Sequence, residues 1–243
     1  MKRPRTTASH NGRISNRLLG ALPDDAYQRL LPDMTIVPLT LKQVLQRRGG
    51  LIRHVFFPNN GLCSSTAVMQ NGTMVEVATV GKEGMVSIGA FLGGHHGLSE
   101  TFVQSATPTT TAVQVPIDIF KGELARHGAL EDVMQRYSQA FAAGLMQCIA
   151  CNALHTVYQR CARWLLMTHD RMASDEFVLT QQFLAIMLGT RRPTVNAVAT
   201  RLQQMALIQY TRGRIRVLNR KGLESASCEC YASIQREFER LKL

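Results

Sequence analysis

The sequence lacks the features that would place the chain in a membrane or outside the cell. No run approaches the ~18 consecutive apolar residues that a membrane-spanning helix needs. The N-terminal stretch MKRPRTTASHNGRIS is basic and polar, without the apolar core of a secretory signal. The six cysteines do not follow the regular spacing of a disulfide framework. We therefore expect a cytoplasmic protein with reduced cysteines.

Residue patterns of an enzyme active site are also missing. The sequence shows neither a Ser/Cys–His–acid set nor a phosphate-loop motif. His95 and His96 are adjacent in a loop, with no cysteine or carboxylate pair nearby to complete a metal shell. Cys228 and Cys230 carry too little spacing information for a zinc site on their own, so packing is the default interpretation. We expect no catalytic residue, no cofactor and no metal site.

Acidic residues are absent where basic residues are densest. Residues 180–223 contain eight Arg or Lys and no Asp or Glu, in a chain whose net charge is +11. Residues 1–19 add five further basic residues, and the rest of the chain is close to neutral. Positive charge concentrated in one segment is typical of a nucleic-acid-binding surface.

The first half of the chain has the residue pattern of an antiparallel β-domain. Residues 35–115 contain short β-prone runs broken by Gly, Pro and Asn. Asn71-Gly72 between two such runs is a signal for a two-residue hairpin turn with positive φ at both positions. Many short strands at regular spacing predict a compact sandwich or barrel. We assign residues 18–127 to this domain and residues 1–17 to a basic, flexible leader.

A long helical segment follows, and we assign residues 128–172 to a dimerisation helix and hinge. Residues 130–172 contain no proline. Mostly apolar or small residues recur at 4-3 spacing, which suits a helix pairing with a copy of itself. The alternative is a helix packed within its own domain. The predicted dimer contacts are Met134, Tyr137, Phe141, Gly144, Cys148, Cys151 and His155, of which Cys148 and Cys151 could also be redox-active at the seam.

The basic segment has the pattern of a winged helix-turn-helix, to which we assign residues 173–243. Thr180 is a predicted N-cap, Gly189 ends the first helix, and Pro193 lies in the first turn of the second. The hairpin around Arg212-Gly213 then alternates apolar residues with arginines, which places them on opposite faces. A helix-turn-helix puts the N-terminal part of its second helix into the major groove of DNA.

The side chains near that helix start have DNA-binding chemistry. Arg192 and Asn196 are the preferred base readers, because Arg can bond guanine and Asn can bond adenine. Arg191 and Arg192 can instead hold phosphates, which give position without sequence. Arg212 and Arg214 are expected on the DNA backbone, and Thr180 and Gln181 on a phosphate at the first helix's N-terminus. The full predicted set is Thr180, Gln181, Arg191, Arg192, Thr194, Asn196, Arg201, Arg212 and Arg214.

This order of parts resembles the Crp/Fnr family of bacterial transcription regulators, and residues 179–217 are its most specific piece. The stretch VGKEGMVSIGAFLG is similar to the family's glycine-rich turn. The resemblance implies an α+β fold with an N-terminal antiparallel β-roll of the cyclic-nucleotide-binding type, a long dimerisation helix and a C-terminal winged helix-turn-helix. It also implies a homodimer that binds palindromic double-stranded DNA, works with RNA polymerase and responds to a small-molecule effector, with no membrane partner.

Departures from the family pattern concern the effector and the DNA sequence. Members that bind cyclic AMP have a Gly-Glu pair and a later Arg-Ser pair, where this chain has Gly84-Met85 and Leu98-Ser99. No Arg or Lys occurs between residues 83 and 120, so a buried phosphate would lack a cation. An N-terminal iron–sulfur cysteine cluster is missing too, since the first cysteine is Cys63. The candidate effector contacts are Glu83, Gly84 and Ser99.

The leading hypothesis is therefore a homodimeric, sequence-specific regulator whose effector is not cyclic AMP. Ala197 and Pro193 stand where the best-known members have Arg and Glu, so a different operator is expected. The alternatives are a cyclic-nucleotide-responsive regulator and, in another class, a non-specific architectural DNA-binding protein. An architectural protein has no use for the β-domain.

Overall fold

The computed structural model describes residues 14–172, 174–240 and 242. Most of the predicted leader lies outside these residues. Two short helices come first, α1 (Arg17–Gly20) and α2 (Asp24–Leu30). Buried Asn16 caps α1 and also donates to the carbonyl oxygens of Pro58 and Gly84, at 2.9 and 3.0 Å. This side chain therefore ties the N-terminal helices to the β-domain.

The β-domain consists of seven antiparallel strands in two sheets. One sheet contains β1 (Thr35–Pro38), β3 (His54–Pro58) and β7 (Thr111–Pro116), in the order β1-β7-β3. The other contains β2 (Val44–Gln46), β4 (Leu62–Val68), β5 (Met74–Val80) and β6 (Glu100–Ser105), in the order β2-β6-β4-β5. Buried apolar residues of both sheets meet in one cluster, which includes Cys63, Val103 and Ala112. The predicted antiparallel β-roll is confirmed.

The β4–β5 turn is longer than its sequence signal indicates. Val68 pairs with Met74, so residues 69–73 form the connection rather than Asn71-Gly72 by themselves. Gly72 has the positive φ that was predicted, +78°, but Asn71 does not. Instead, the Asn71 side chain accepts a hydrogen bond from the Thr73 N–H at 3.0 Å. This local bond stabilises a wider loop than a two-residue turn.

Two helices occupy the region that was predicted as one long helix. After α3 (Ile117–Leu124), α4 spans Ala129–Leu154 and α5 spans Val157–His169. The chain is extended at His155 and Thr156, with ψ of 149° and 154°. Thr156 then begins α5 with a capping box to Gln159, which satisfies N–H groups that a continuous helix would bond itself. Within the segment assigned to a dimerisation helix and hinge, this capping signal places the break at His155 and Thr156.

The C-terminal part has the helix-turn-helix and the hairpin that the sequence predicts. Its elements are β8 (Glu176–Val178), α6 (Gln181–Met187), α7 (Arg192–Gln204), β9 (Ile208–Thr211), β10 (Arg214–Val217), α8 (Arg220–Ala226) and α9 (Cys230–Arg240). The strands form one sheet in the order β8-β10-β9. The last helix, α9, returns to pack against α4.

The β-roll and the C-terminal part share a hydrophobic core. Leu62 and Phe102 of the second sheet belong to the same buried cluster as α5, α6 and α7. The rings of Phe102 and Phe183 meet edge-on, with centroids 5.8 Å apart. A change in the β-roll therefore has a direct packing route to the helix-turn-helix. Within the described residues, no helix combines the length and the apolar character that crossing a membrane requires.

Candidate nucleic-acid interface

The second helix of the helix-turn-helix is held by one apolar side and presents the other to solvent. Thr180 caps α6 by accepting the N–H of Phe183 at 3.2 Å. Gly189, with φ of +59°, turns the chain between α6 and α7. The residues of α7 that are buried against the domain are Val195, Val198, Ala199 and Leu202. The exposed residues on the opposite side are Pro193, Ala197, Thr200 and Gln204.

The predicted DNA contacts from the two helices and the hairpin tip come together beside this exposed side. The Gln181 side chain donates to the side-chain oxygen of Asn196 at 2.9 Å, which joins the starts of α6 and α7. Thr180, Gln181, Arg192 and Arg212 line one groove, together with Gln182, Tyr210 and Gly213. Tyr210 fixes the hairpin against α6 by donating to the Leu179 carbonyl at 2.9 Å.

The hairpin tip is a left-handed two-residue turn. Arg212 and Gly213 have φ of +49° and +77°, and Thr211 pairs with Arg214 across the turn. Positive φ at both central residues is the geometry that matches the twist of a hairpin. Glycine adopts it freely, whereas an arginine there costs on the order of 1 kcal/mol. The turn places the Arg212 side chain at the outer end of the hairpin, where it is exposed.

Several arginines of residues 180–223 form salt bridges with carboxylates, so only part of the positive charge in this segment is unpaired. Arg214 and Arg216 both bind Glu176, at 3.2 and 2.8 Å. These bonds from Arg216 and Arg214 lower the pKa of Glu176, so the carboxylate stays charged. Arg220 binds Asp170 and Glu224. These acids lie just outside residues 180–223, so the local charge count misses them. In the described part of the chain, no carboxylate lies within salt-bridge distance of Arg191, Arg192 or Arg212.

Arg201 was predicted with the DNA-binding set, but the structure places it elsewhere. Its guanidinium lies over the ring of Tyr158 on α5, 4.5 Å from the ring centroid. Arg201 is five residues after Asn196, which puts the two side chains about 140° apart around α7. Arg201 therefore does not join the group formed by Thr180, Arg192 and Arg212. Its cation–π contact attaches α7 to α5.

Two of the three candidate effector contacts are engaged inside the protein. Glu83 is buried and binds Arg171, with 2.7 Å between Oε1 and Nη2. Gly84 lies so close to α4 that a Cβ there would be 2.7 Å from the Tyr137 hydroxyl. These contacts with Arg171 and α4 disfavour both residues as effector contacts. Ser99 remains a candidate effector contact, since it lines a cavity.

That cavity lies between the second sheet and α4 and has a volume of about 210 Å³. Its lining is largely apolar, with polar contributions from Gln46, Ser65, Ser87, Ser99 and Thr101. Among the described residues, none of those lining it carries a charge. A phosphate placed there would have no cationic partner, in line with the gap in Arg and Lys along the sequence.

The predicted dimer seam faces the protein's own interior. Met134, Tyr137 and Cys151 are at most 1% exposed, and the Tyr137 hydroxyl donates to the Met85 carbonyl. Phe141, Gly144, Cys148 and His155 lie on the same side of α4 and are partly buried. Met134, Tyr137 and Cys151 are therefore engaged within the chain, and this register remains a prediction that their burial disfavours. The same 4-3 spacing recurs on the outer face of α4, where Ala142, Met146, Ile149 and Ala153 are exposed.

Three cysteines and a histidine, residue types that ligate metals, lie together in a way that the sequence does not predict. Cys151, His155, Cys228 and Cys230 bring their ligand atoms within 4.8 Å of one another. The Cys-His pair is separated by one helical turn and the Cys-x-Cys pair lies near the C-terminus. Each pair is a signal too weak to identify a site, and nothing local shows that they meet.

Comparisons with known proteins agree with this architecture. Residues 159–226 match the family described as the Crp-like helix-turn-helix domain. No curated protein matches the chain. A solved structure described as a Crp/Fnr-family transcriptional regulator from Eubacterium rectale is 16% identical, with a TM-score of 0.63 over 86% of this chain and 96% of that one.

Two further solved structures have similar scores. A CRP-family transcriptional regulator from Thermus thermophilus is 17% identical, with a TM-score of 0.63 over 79% of this chain and 96% of that one. The c-di-GMP-responsive global regulator CLP from Xanthomonas campestris is 14% identical, with a TM-score of 0.62 over 80% and 99%. At these identities the likeness establishes the fold. The Crp/Fnr-type architecture that the resemblance implies is confirmed.

Proposed function

We propose that this chain, which has the Crp/Fnr regulator fold and carries a Crp-like helix-turn-helix domain, is a homodimeric, sequence-specific DNA-binding transcription regulator. The observation that carries the proposal is the grouping of Arg191, Arg192 and Arg212 around the exposed start of α7. These charges have no carboxylate partner in the residues that the structure describes. Paired charges would gain little from phosphates, whereas these three are free to bind them.

Base reading is assigned to the start of α7. Arg192 and Asn196 lie on the flank of α7 that faces Gln181 and the hairpin. The Gln181 bond fixes the Asn196 amide with its NH₂ group as the available donor. Arg191, Thr194 and Arg212 hold the backbone, with Thr180 and Gln181 at the start of α6. Arg214 contributes only when it leaves Glu176.

Dimerisation is assigned to the outer face of α4. Met146 and Ile149 are each 70% exposed, which is unusual for large apolar side chains. With Ala142 and Ala153 they form a 4-3 stripe, the pattern that two parallel helices bury between them. A two-fold pair of recognition helices then reads a palindromic site. RNA polymerase is the expected protein partner and the cytoplasm the expected location.

The effector is assigned to the uncharged cavity that Ser99 lines. Its hydroxyl and amide groups can bind a neutral molecule, and its apolar walls disfavour a phosphate. CLP from Xanthomonas campestris is described as responsive to c-di-GMP, an anionic ligand. This cavity has no cation to bind such an anion. We therefore propose an effector other than a cyclic nucleotide.

A binding-site selection tests the proposal. The full chain is incubated with random double-stranded DNA, and the retained fragments are sequenced and measured by gel shift. We expect an inverted repeat with half-sites about 34 Å apart, one turn of DNA. Retention without sequence preference would support the architectural alternative instead. Binding that requires added cyclic AMP would support a cyclic-nucleotide-responsive regulator.

A further inference from the structure

Three cysteines and one histidine meet where α4 ends and α9 begins. The Sγ atoms of Cys151 and Cys228 are 3.5 Å apart, and Cys230 Sγ is 3.5 Å from His155 Nδ1. All three cysteines are buried, and the His155 side chain is 16% exposed. The four ligand atoms therefore form a compact group that is shielded from solvent apart from one edge of the imidazole.

The spacing of these atoms fits a single tetrahedral ion. With Zn–S near 2.3 Å and Zn–N near 2.0–2.1 Å, a tetrahedron has S···S edges of about 3.8 Å and S···N edges of about 3.5 Å. The Cys151–Cys228 and Cys230–His155 separations are both 3.5 Å, and no separation within the group exceeds 4.8 Å. Three thiolates and one imidazole are a donor set of structural zinc sites.

Neighbouring polar groups hold the donors in binding orientation. The Glu229 carboxylate lies 3.2 Å from His155 Nε2, which leaves Nδ1 directed at Cys230. The Gln147 side-chain amide donates to Cys230 Sγ at 3.0 Å. A carboxylate on the second ring nitrogen is the usual support for a metal-bound histidine, because it fixes the ring and the tautomer.

A nearby cation can balance the charge of such a centre. Three thiolates around a divalent ion carry a net charge of −1, and each thiol releases its proton on binding. Arg163 on α5 is 6% exposed, and its guanidinium donates to Cys148 Sγ at 3.5 Å, one helical turn before Cys151. Among the described residues, its guanidinium forms no salt bridge, and its charge acts on the buried Glu76 as well as on Cys148, Cys151 and Cys228.

We propose that Cys151, His155, Cys228 and Cys230 bind one zinc ion, and that this ion fastens α9 to the hinge between α4 and α5. His155 is the residue at which α4 ends, and Cys230 is the first residue of α9. The ion thus joins positions 77 residues apart in the chain. This inference does not depend on DNA binding, since its readouts are metal content and stability.

A disulfide bond and an iron–sulfur cluster are the two alternatives to a zinc ion at this cluster, and each can be distinguished from zinc. A disulfide between Cys151 and Cys228 would need an oxidant and would leave Cys230 and His155 without a role. An iron–sulfur cluster is larger than a single ion, so it would hold its four ligand atoms further apart than they lie here. It would also give the purified protein a visible colour.

Metal analysis of the full chain, purified under reducing conditions, tests the proposal. We expect one zinc per chain by plasma mass spectrometry, released when the thiols are modified. Removal with a strong chelator should lower the melting temperature by roughly 5 to 15 °C, and added zinc should restore it. Replacement with Co²⁺ should give the visible absorption bands of tetrahedral thiolate coordination.

Variants separate zinc binding from packing. Cys228→Ser and Cys230→Ser should lose the metal, whereas His155→Cys should keep it because a fourth thiolate completes the shell. Cys148→Ser is the matched control, since Cys148 lies on the same helix outside the group and should leave the zinc content unchanged. If a serine variant does not fold, the chelation and Co²⁺ measurements on the natural chain decide whether the cluster binds zinc.

Three results would overturn the proposal. The first is a natural chain that contains no metal, binds no Co²⁺ and melts unchanged in the chelator. The second is a Cys151–Cys228 disulfide in protein purified under reducing conditions. The third is equal metal loss in the Cys148→Ser control and the ligand variants.

Discussion

The guanidinium of Arg171 lies against the carboxylate of Glu83, with 2.7 Å between Nη2 and Oε1. The pair joins the end of the α5 segment to the β-roll, and both residues are 8% exposed. Burial acts to raise the pKa of Glu83, but the charge and hydrogen bonds of Arg171 outweigh it and hold the pKa below its usual value. The pair is therefore charged, and it connects the two halves of the molecule.

Removing one partner of this pair should destabilise the folded protein. We expect Arg171→Leu to lower the free energy of unfolding by about 3–5 kcal/mol, because it leaves a buried carboxylate unpaired. The double variant Glu83→Gln/Arg171→Leu should be less destabilised than Arg171→Leu. Because the folded pKa of Glu83 is below the unfolded value, the pair's contribution is present at neutral pH and lost as the pH falls below the ordinary glutamate range. Urea unfolding measures each effect, and strictly additive losses would contradict the coupling.

A second carboxyl between the same two domains should respond to pH in the opposite direction. Burial raises the pKa of Glu76 to about 7, against the lowering effects of Ser64, Trp164, Arg163 and Arg171. Because the pKa of Glu76 is higher in the folded than in the unfolded chain, the contribution of Glu76 to stability is fully present at low pH. It is lost as the pH rises through about 7.

Trp164 is the one tryptophan of the chain, and its Nε1–H donates to Glu76 at 2.8 Å. Its fluorescence should therefore titrate with a midpoint near pH 7. Glu76→Gln should abolish this transition and raise the melting temperature at alkaline pH, since a neutral amide has no charge to desolvate. Glu100→Gln, which changes an acid elsewhere in the β-roll, is the control that should keep the transition. A titration that persists in Glu76→Gln would assign the effect to another group.

Arg192 and Arg201 lie on the same helix and should differ in their effect on DNA binding. We expect Arg192→Ala to weaken binding to the selected site by about 1–3 kcal/mol, roughly 5- to 150-fold. Arg201→Ala should leave this affinity nearly unchanged, because its guanidinium stacks on Tyr158. Gel shifts on matched and mismatched sites distinguish base reading from phosphate contact, since loss of a phosphate contact weakens all sequences alike. Equal losses in both variants would contradict the placement of Arg201.

Glu176 should lower the affinity of the protein for DNA. It pairs with both Arg214 and Arg216, so Glu176→Gln frees two cations beside the hairpin. We expect tighter binding to non-specific DNA and a steeper salt dependence, by up to about two phosphate contacts. Glu224→Gln is the control, because it removes one acidic partner of Arg220 on α8 while Asp170 keeps that arginine paired. An unchanged salt slope in Glu176→Gln would show that the hairpin does not meet DNA.

The outer stripe of α4 should be the dimer contact. Ile149→Glu should convert the proposed dimer to a monomer in sedimentation velocity, because burying two carboxylates between paired helices is unfavourable. Leu92→Glu makes the same change at an exposed leucine of the β-roll, which is 62% exposed, and should leave the dimer intact. A dimer that survives Ile149→Glu would place the contact elsewhere.

Local signals were sufficient for the helix-turn-helix. The cap at Thr180, the turn at Gly189 and the proline in the first turn of α7 each depend on residues only a few positions apart. The antiparallel β-domain was predicted in the same way, from strand-length runs and turn residues, whereas its β-roll form was implied by the resemblance to the Crp/Fnr family. The length of the β4–β5 turn was missed because the Asn71 side chain bonds the backbone of Thr73.

Periodicity could not decide which face of α4 is buried. Two registers with 4-3 spacing run along this helix, one through Met134 and Tyr137 and the other through Met146 and Ile149. Only packing against the β-roll shows that the first is internal. Charge counting failed in a similar way, because Glu176 and Asp170 lie outside the basic segment but bind its arginines.

The sequence by itself determined the kind of fold and the position of the basic helix-turn-helix, because caps, turns and alternation are interactions between near neighbours in the chain. Only the tertiary structure decided which arginines are free, which face of α4 is exposed, and that Cys151 meets Cys228. The Cys151–Cys228 contact and the Arg171–Glu83 pair join residues 77 and 88 positions apart in the chain. Their formation depends on how whole elements pack, and no local pattern encodes it.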